Sequence, residues 1–94
     1  MITREEVIEK LKTVLDPDIG IDVWTLGFIY EINIKENDAE IVMTLTTPLC
    51  HLQSFLKEEV ENAVRELGFG TVFVRITFDP PWKLPEKVRN MMGV

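Results

Sequence analysis

The segment Thr46-Thr47-Pro48-Leu49-Cys50-His51 places the chain's one cysteine beside its one histidine. Thr47 is suited to cap a helix, and Pro48 to fill its first position, where a missing N–H costs nothing. Cys50 then stands at the third helical position. Unpaired backbone N–H groups and the positive end of the helix dipole favour a thiolate there, the form that binds a metal or attacks an electrophile. The competing reading is packing, because free cysteine is among the most buried residue types. His51 could act as a second ligand or a general base. Adjacent helical positions do not share a face, however, so a solvent-exposed first-turn residue is the alternative.

Other polar residues could serve the same site. Asp16 and Asp18 bracket Pro17. Paired carboxylates can hold a cation or tune a thiol, yet Asp, Pro and the following Gly20 equally spell a turn. Thr44, Thr46 and Thr47 lead into Cys50; threonine suits strands, and its hydroxyls could also line a small polar site at a helix N-terminus. Further on, Asp79-Pro80-Pro81-Trp82 joins two stiff residues to a large apolar ring. It reads either as a rigid lid over the core edge or as a partner-docking surface formed by Pro81 and Trp82, with Trp24 in a similar part. There is no phosphate-cradling glycine motif, no His-Glu-x-x-His and no Gly-x-Ser-x-Gly. A Cys–His nucleophilic pair usually draws its histidine from a distant part of the chain, so the adjacent His51 is a poor sign of one.

The elements that must position these residues can be read from periodicity. Residues 3–15 are expected to form a helix, with Thr3 and Glu6 as a capping box and Val7, Ile8, Leu11, Val14 and Leu15 on one face. Asp16-Pro17 would end it. Alternation predicts a strand over 28–35, a polar turn at Glu36-Asn37-Asp38, and a second strand over 40–46, paired as an antiparallel hairpin. A second helix is expected over 48–67, with Leu49, Leu52, Leu56, Val60, Ala63, Val64 and Leu67 as its apolar stripe and Gly68 and Gly70 at its end. A third strand follows over 72–78, and a short helical turn over 85–92. The order αββαβ implies an α+β fold in which two helices cover one face of a small mixed three-stranded sheet. The helical crossover lets the third strand run parallel to its neighbour.

Composition narrows the function. A chain of 94 residues that is 46% hydrophobic and 28% charged suits a single globular domain over 1–94. So short a chain has little spare stability, and a homodimer interface would supplement it. A net charge of −6 argues against binding to nucleic acid or to an anionic membrane. One cysteine excludes an internal disulfide or a multi-thiolate zinc site. No stretch reads as a signal peptide or membrane span, so a reducing cytoplasm is the expected compartment.

Four segments occur in order: Asp16-Pro17-Asp18-Ile19-Gly20, Leu26-Gly27-Phe28-Ile29-Tyr30, Met43-Thr44-Leu45-Thr46-Thr47-Pro48-Leu49-Cys50 and Asp79-Pro80-Pro81-Trp82. Together they resemble the SufT/PaaD-like iron–sulfur cluster assembly domain family, also described as metal–sulfur cluster biosynthetic proteins, over nearly the whole chain. The resemblance implies a fold similar to the C-terminal domain of NifU-type scaffolds and a role in maturing iron–sulfur proteins. Matched by motif, Cys50 is the family cysteine, and Asp16, Asp18, Thr46 and Thr47 are the polar residues around it. Two departures stand out: His51 replaces the usual proline, and Asp18 stands where glutamate is common. Where NifU-type domains have Cys-x-x-Cys, this chain has Cys50-His51-Leu52-Gln53. PaaD-type members usually carry further C-terminal cysteines, which are missing here.

One thiolate cannot hold a conventional four-cysteine cluster. The resemblance therefore implies no stably bound cofactor in one chain, but transient contact with an iron–sulfur cluster whose other ligands come from a second subunit or a partner. The expected partners are iron–sulfur assembly proteins or apo client proteins. The first reading is a non-enzymatic assembly factor with Cys50 as a transient ligand. The second is a thiol enzyme or persulfide carrier with Cys50 as nucleophile. The third is a docking module in which Cys50 is structural.

Overall fold

The computed structural model describes residues 2–17, 19–45, 53–83, 85, 86 and 90. Five elements appear in the expected order: α1 (Arg4–Leu11), β1 (Ile29–Lys35), β2 (Asp38–Met43), α2 (Gln53–Arg65) and β3 (Thr71–Ile76). The Thr3 hydroxyl accepts from the Glu6 N–H at 3.2 Å, and the Glu6 carboxylate accepts from the Thr3 N–H at the same distance. This is the capping box that the sequence spells, and it satisfies two otherwise unpaired donors.

α1 is shorter than its apolar periodicity predicts. Lys12 is its C-cap, and the Thr13 and Val14 N–H groups bond three residues back in a tightened turn. The Thr13 hydroxyl also donates to the Lys10 carbonyl at 2.6 Å. Beyond it the chain is extended, with Leu15 bridged to Asp22. The expected apolar face therefore splits: Val14 is buried, but Leu15 is 54% exposed. Periodicity alone could not register the bridge, because its partner lies outside the helical window.

β1 and β2 pair antiparallel around a two-residue turn at Glu36-Asn37, so Asp38 belongs to the strand. β2 pairs parallel with β3, giving the sheet order β1-β2-β3. The parallel start is pinned by the Asn37 carbonyl, which accepts from Gly70 N–H at 2.8 Å and Thr71 N–H at 3.4 Å. The ladders stop at Met43 and Ile76, short of the expected 46 and 78. One step beyond, each pairing is prolonged by a single bond: Thr44 N–H donates to the carbonyl of Phe28, which stands opposite it in the β1–β2 register, and Thr77 N–H donates to the Met43 carbonyl.

Ile41, Met43, Val72 and Val74 face one side of the sheet and join Val7 and Leu11 of α1 with Leu56, Val60 and Val64 of α2 in one core. Both helices thus lie on one face of a small mixed sheet. Val42 departs from the simple alternation: it is buried on the opposite side. It lines a hollow there together with Tyr30 and Pro80. The expected N-terminal part of the second helix, including Leu49 and Leu52, and most of the expected turn over 85–92 lie outside the described residues. No described helix is long and apolar enough to cross a membrane.

This packing sets the cost of core truncation. Leu56 is fully buried, so Leu56→Ala is expected to lower unfolding free energy by about 2–5 kcal/mol. Phe73, 57% exposed on the bare sheet face, should tolerate Phe73→Ser within about 0.5 kcal/mol. Urea denaturation of both variants checks this; equal losses would contradict the assigned faces.

Candidate functional site

The loop over 12–28 is built from nested turns. Asp16 N–H donates to the Ile21 carbonyl at 3.0 Å, Gly20 N–H returns to the Asp16 carbonyl at 2.7 Å, and the Asp16 carboxylate accepts from the Ile19 N–H at 3.2 Å. Gly20 has φ +78°, a conformation that side chains with a Cβ resist. Asp16 is only 5% exposed. Among the described residues no buried side-chain nitrogen or oxygen lacks a hydrogen-bond partner. The aspartate therefore has a turn-building role in this fold.

The second turn rests on Asp22, whose carboxylate accepts from Thr25 N–H at 2.9 Å while its carbonyl accepts from Leu26 N–H at 3.0 Å. Sequence reasoning passed over Asp22, although an aspartate three residues before such a donor is a recognised turn signal. Trp24, half-buried in this turn, meets the Arg4 guanidinium 5.9 Å from its ring centroid. That contact joins the loop to the first turn of α1.

Three backbone hydrogen bonds carry this loop to the end of β2. Val23 N–H donates to Val14 (2.9 Å), Phe28 N–H to Val23 (3.1 Å), and Thr44 N–H to Phe28 (2.7 Å). Thr44 is fully buried, and its hydroxyl lies 3.3 Å from the Leu45 carbonyl. The residues from which the Cys50 segment departs are thus fixed to the same loop that holds Asp16.

Asp79-Pro80-Pro81-Trp82 forms a strap across the beginning of β1. The Trp82 indole N–H donates to the Leu26 carbonyl at 2.7 Å, and its ring meets Phe28 edge-on with centroids 5.5 Å apart. The Tyr30 hydroxyl donates to the Pro80 carbonyl at 2.7 Å. Tyr30 sits where the β1–β2 register shifts, and such an irregularity re-aims a side chain. Between these ties Gly27 has φ +76°, and a Cβ there would approach Pro85 Cγ to 3.2 Å. Pro81 is exposed and Trp82 half-buried.

Asp18, Thr46, Thr47, Cys50 and His51 lie outside the described residues. Of the sequence-predicted site residues, the structure therefore places Asp16, Trp24, Pro81 and Trp82. It attaches all four to one backbone framework around Leu26, Phe28 and Thr44. Among the described residues no group of three His, Cys, Asp or Glu side chains could hold a metal ion. Trp82→Phe should keep the ring contact but leave the Leu26 carbonyl without the indole donor, at a cost of about 1 kcal/mol. A denaturation midpoint equal to that of the natural protein would show that the indole N–H contributes nothing.

Comparison with known proteins agrees with this architecture. Residues 4–76 match the family described as iron–sulfur cluster assembly protein. An Fe-S protein maturation auxiliary factor from Porphyromonas gingivalis is 35% identical over 82 residues, covering 85% of this chain and 78% of the relative. An iron–sulfur cluster carrier protein from Synechocystis is 30% identical over 102 residues; the alignment takes in 100% of this chain but only 29% of that longer protein. The structure of a conserved hypothetical protein from Thermotoga maritima superposes with a TM-score of 0.85 at 37% identity, covering 99% of this chain and 96% of that one. The matched span contains Asp16, the Leu26–Phe28 turn, Thr44 and Cys50. This chain belongs to the iron–sulfur cluster assembly protein family, the SufT-like group that its ordered motifs resemble.

Proposed function

We propose that this protein is a non-enzymatic accessory factor in the maturation of iron–sulfur proteins, with Cys50 as a transient ligand to a cluster in transit. The observation that carries the proposal is the family match across 4–76, which includes the chain's one cysteine. Relatives named as maturation auxiliary factors and cluster carriers support the class of activity. The cluster is cargo. A single thiolate supplies one of the several ligands that a conventional cluster requires, so the others come from the apo client, an assembly protein or a second copy of this chain. An incomplete site suits a carrier, because cargo held by few bonds from one chain is readily passed on.

The framework described above supports the role of the neighbouring residues. A buried Thr44 tied to Phe28 gives the segment 46–52 a fixed origin. Thr46, Thr47, Asp16 and Asp18 would orient the thiol, and His51 would add a borderline ligand where the resembled family pattern usually has proline. A reducing cytoplasm would keep the lone thiol available.

The test is anaerobic maturation of an apo iron–sulfur client with iron and sulfide, comparing the natural protein with Cys50→Ser. The serine variant should unfold at the same denaturant concentration yet lose nearly all stimulation of client activity. Undiminished stimulation by Cys50→Ser would refute the ligand role. A thiol alkylated far faster than free cysteine near neutral pH, with turnover of a persulfide donor, would instead make the protein a thiol enzyme.

A further inference from the structure

Two of the three most exposed large hydrophobic side chains among the described residues lie on the same groove. Leu15 is 54% exposed and Phe55 is 47% exposed. They line a hollow of about 430 Å³ between the end of α1 and α2, whose floor is the buried pair Val14 and Ala63. Leu15 is held in place by its bridge to Asp22. Past Phe55 a smaller hollow of about 190 Å³ continues over Glu58 and Glu59.

The rim of this apolar floor is polar, with the neutral Thr13 and Asn62 beside carboxylates. Glu59 and Glu66 line the larger hollow and Glu58 the smaller. Lys10 lies 3.5 Å from Glu66, whereas Glu58 and Glu59 have no ion pair among the described residues. A second copy of this chain is a poor occupant. A two-fold contact through the groove would set the same carboxylates against themselves, and the chain carries −6 overall.

We infer that this groove docks a partner protein through an amphipathic helix, with apolar side chains on Leu15 and Phe55 and Lys or Arg side chains facing Glu58 and Glu59. Apolar anchors at helical spacing fit such a groove, and flanking charge of opposite sign sets orientation and association rate. The inference deepens the proposed accessory function, and rests on it for the partner's identity, by naming the surface a partner uses. The groove opens at Phe55, a few residues beyond Cys50 in the chain, so a docked partner would lie along the helix that follows the cysteine segment.

The test uses the metal-free protein and two synthetic amphipathic helices, one of Leu and Lys and its counterpart of Leu and Glu. Fluorescence anisotropy measures affinity, and amide chemical shifts locate the site. The Leu/Lys helix should bind and shift amides around Leu15, Phe55 and Ala63, while the Leu/Glu helix should not bind. Phe55→Ser, at an exposed position that leaves the core intact, should weaken binding by roughly tenfold or more, as loss of a buried anchor does. The double variant Glu58→Lys/Glu59→Lys should weaken it further and flatten its salt dependence. Cys50→Ser should leave it unchanged, so a Cys50→Ser protein that still matures its client would sink the proposed function without touching the groove. Equal affinity for Phe55→Ser, shifts confined to the bare sheet face, or a Phe55-dependent dimer in solution would overturn the inference.

Discussion

The 2.7 Å hydrogen bond from Thr44 N–H to the Phe28 carbonyl extends the β1–β2 pairing by one rung and ties the loop before β1 to the end of β2. On one side lies the loop that runs from α1 through Asp16 and Asp22. On the other lies the end of β2, from which the cysteine segment departs. Thr44 is fully buried, so leaving its N–H unpaired would carry a desolvation penalty of about 1–3 kcal/mol. That penalty makes the position of Phe28, and hence of everything that holds Phe28, a structural requirement. Val23, Trp82 and Gly27 all act on it. Val23 receives its N–H, Trp82 packs an edge-on ring against it, and Gly27 leaves room for Pro85.

The strap explains why two prolines precede the tryptophan. Proline fixes its own backbone angle and offers no N–H that would need a partner. Asp79-Pro80-Pro81 can therefore cross the end of the sheet without disturbing the ladder, leaving the Pro80 carbonyl for Tyr30 and the indole for Leu26. A polar tip on a large apolar body is the property that allows one side chain both to pack and to bond. The strap's exposed Pro81 remains on the surface, so an in-chain role for Trp82 and a contact surface for a partner are compatible.

The two faces of the molecule differ in kind. The bare side of the sheet shows Glu31, Asn33, Lys35, Thr71 and Arg75, a mixed polar surface interrupted by Phe73. The helical side carries a groove of mixed lining, with an apolar floor and a polar rim that includes carboxylates. Two clustered hydrophobics over a buried floor present a better anchor than one isolated ring, because only the cluster can close a dry contact around a partner's side chains. The short α1 makes this groove: had the helix run to residue 15, Leu15 would have joined the core stripe with Val14.

Periodicity and capping chemistry by themselves determined the element order, the antiparallel hairpin, the inward residues of α2 and β3, and the capping box at Thr3 and Glu6. These are local properties, set by 3.6- and 2-residue repeats and by side chains bonding nearby backbone. The ordered motifs also carried the family resemblance and singled out Cys50, whose segment lies outside the described residues. Tertiary structure decided the rest. It ended α1 early by pairing Leu15 with Asp22, buried Val42 beside Tyr30 and Pro80, and bonded Trp82 to Leu26, fifty-six positions away. Each of those outcomes depends on which group from outside the local repeat supplies a partner or a packing surface, and a one-dimensional pattern contains no term for that.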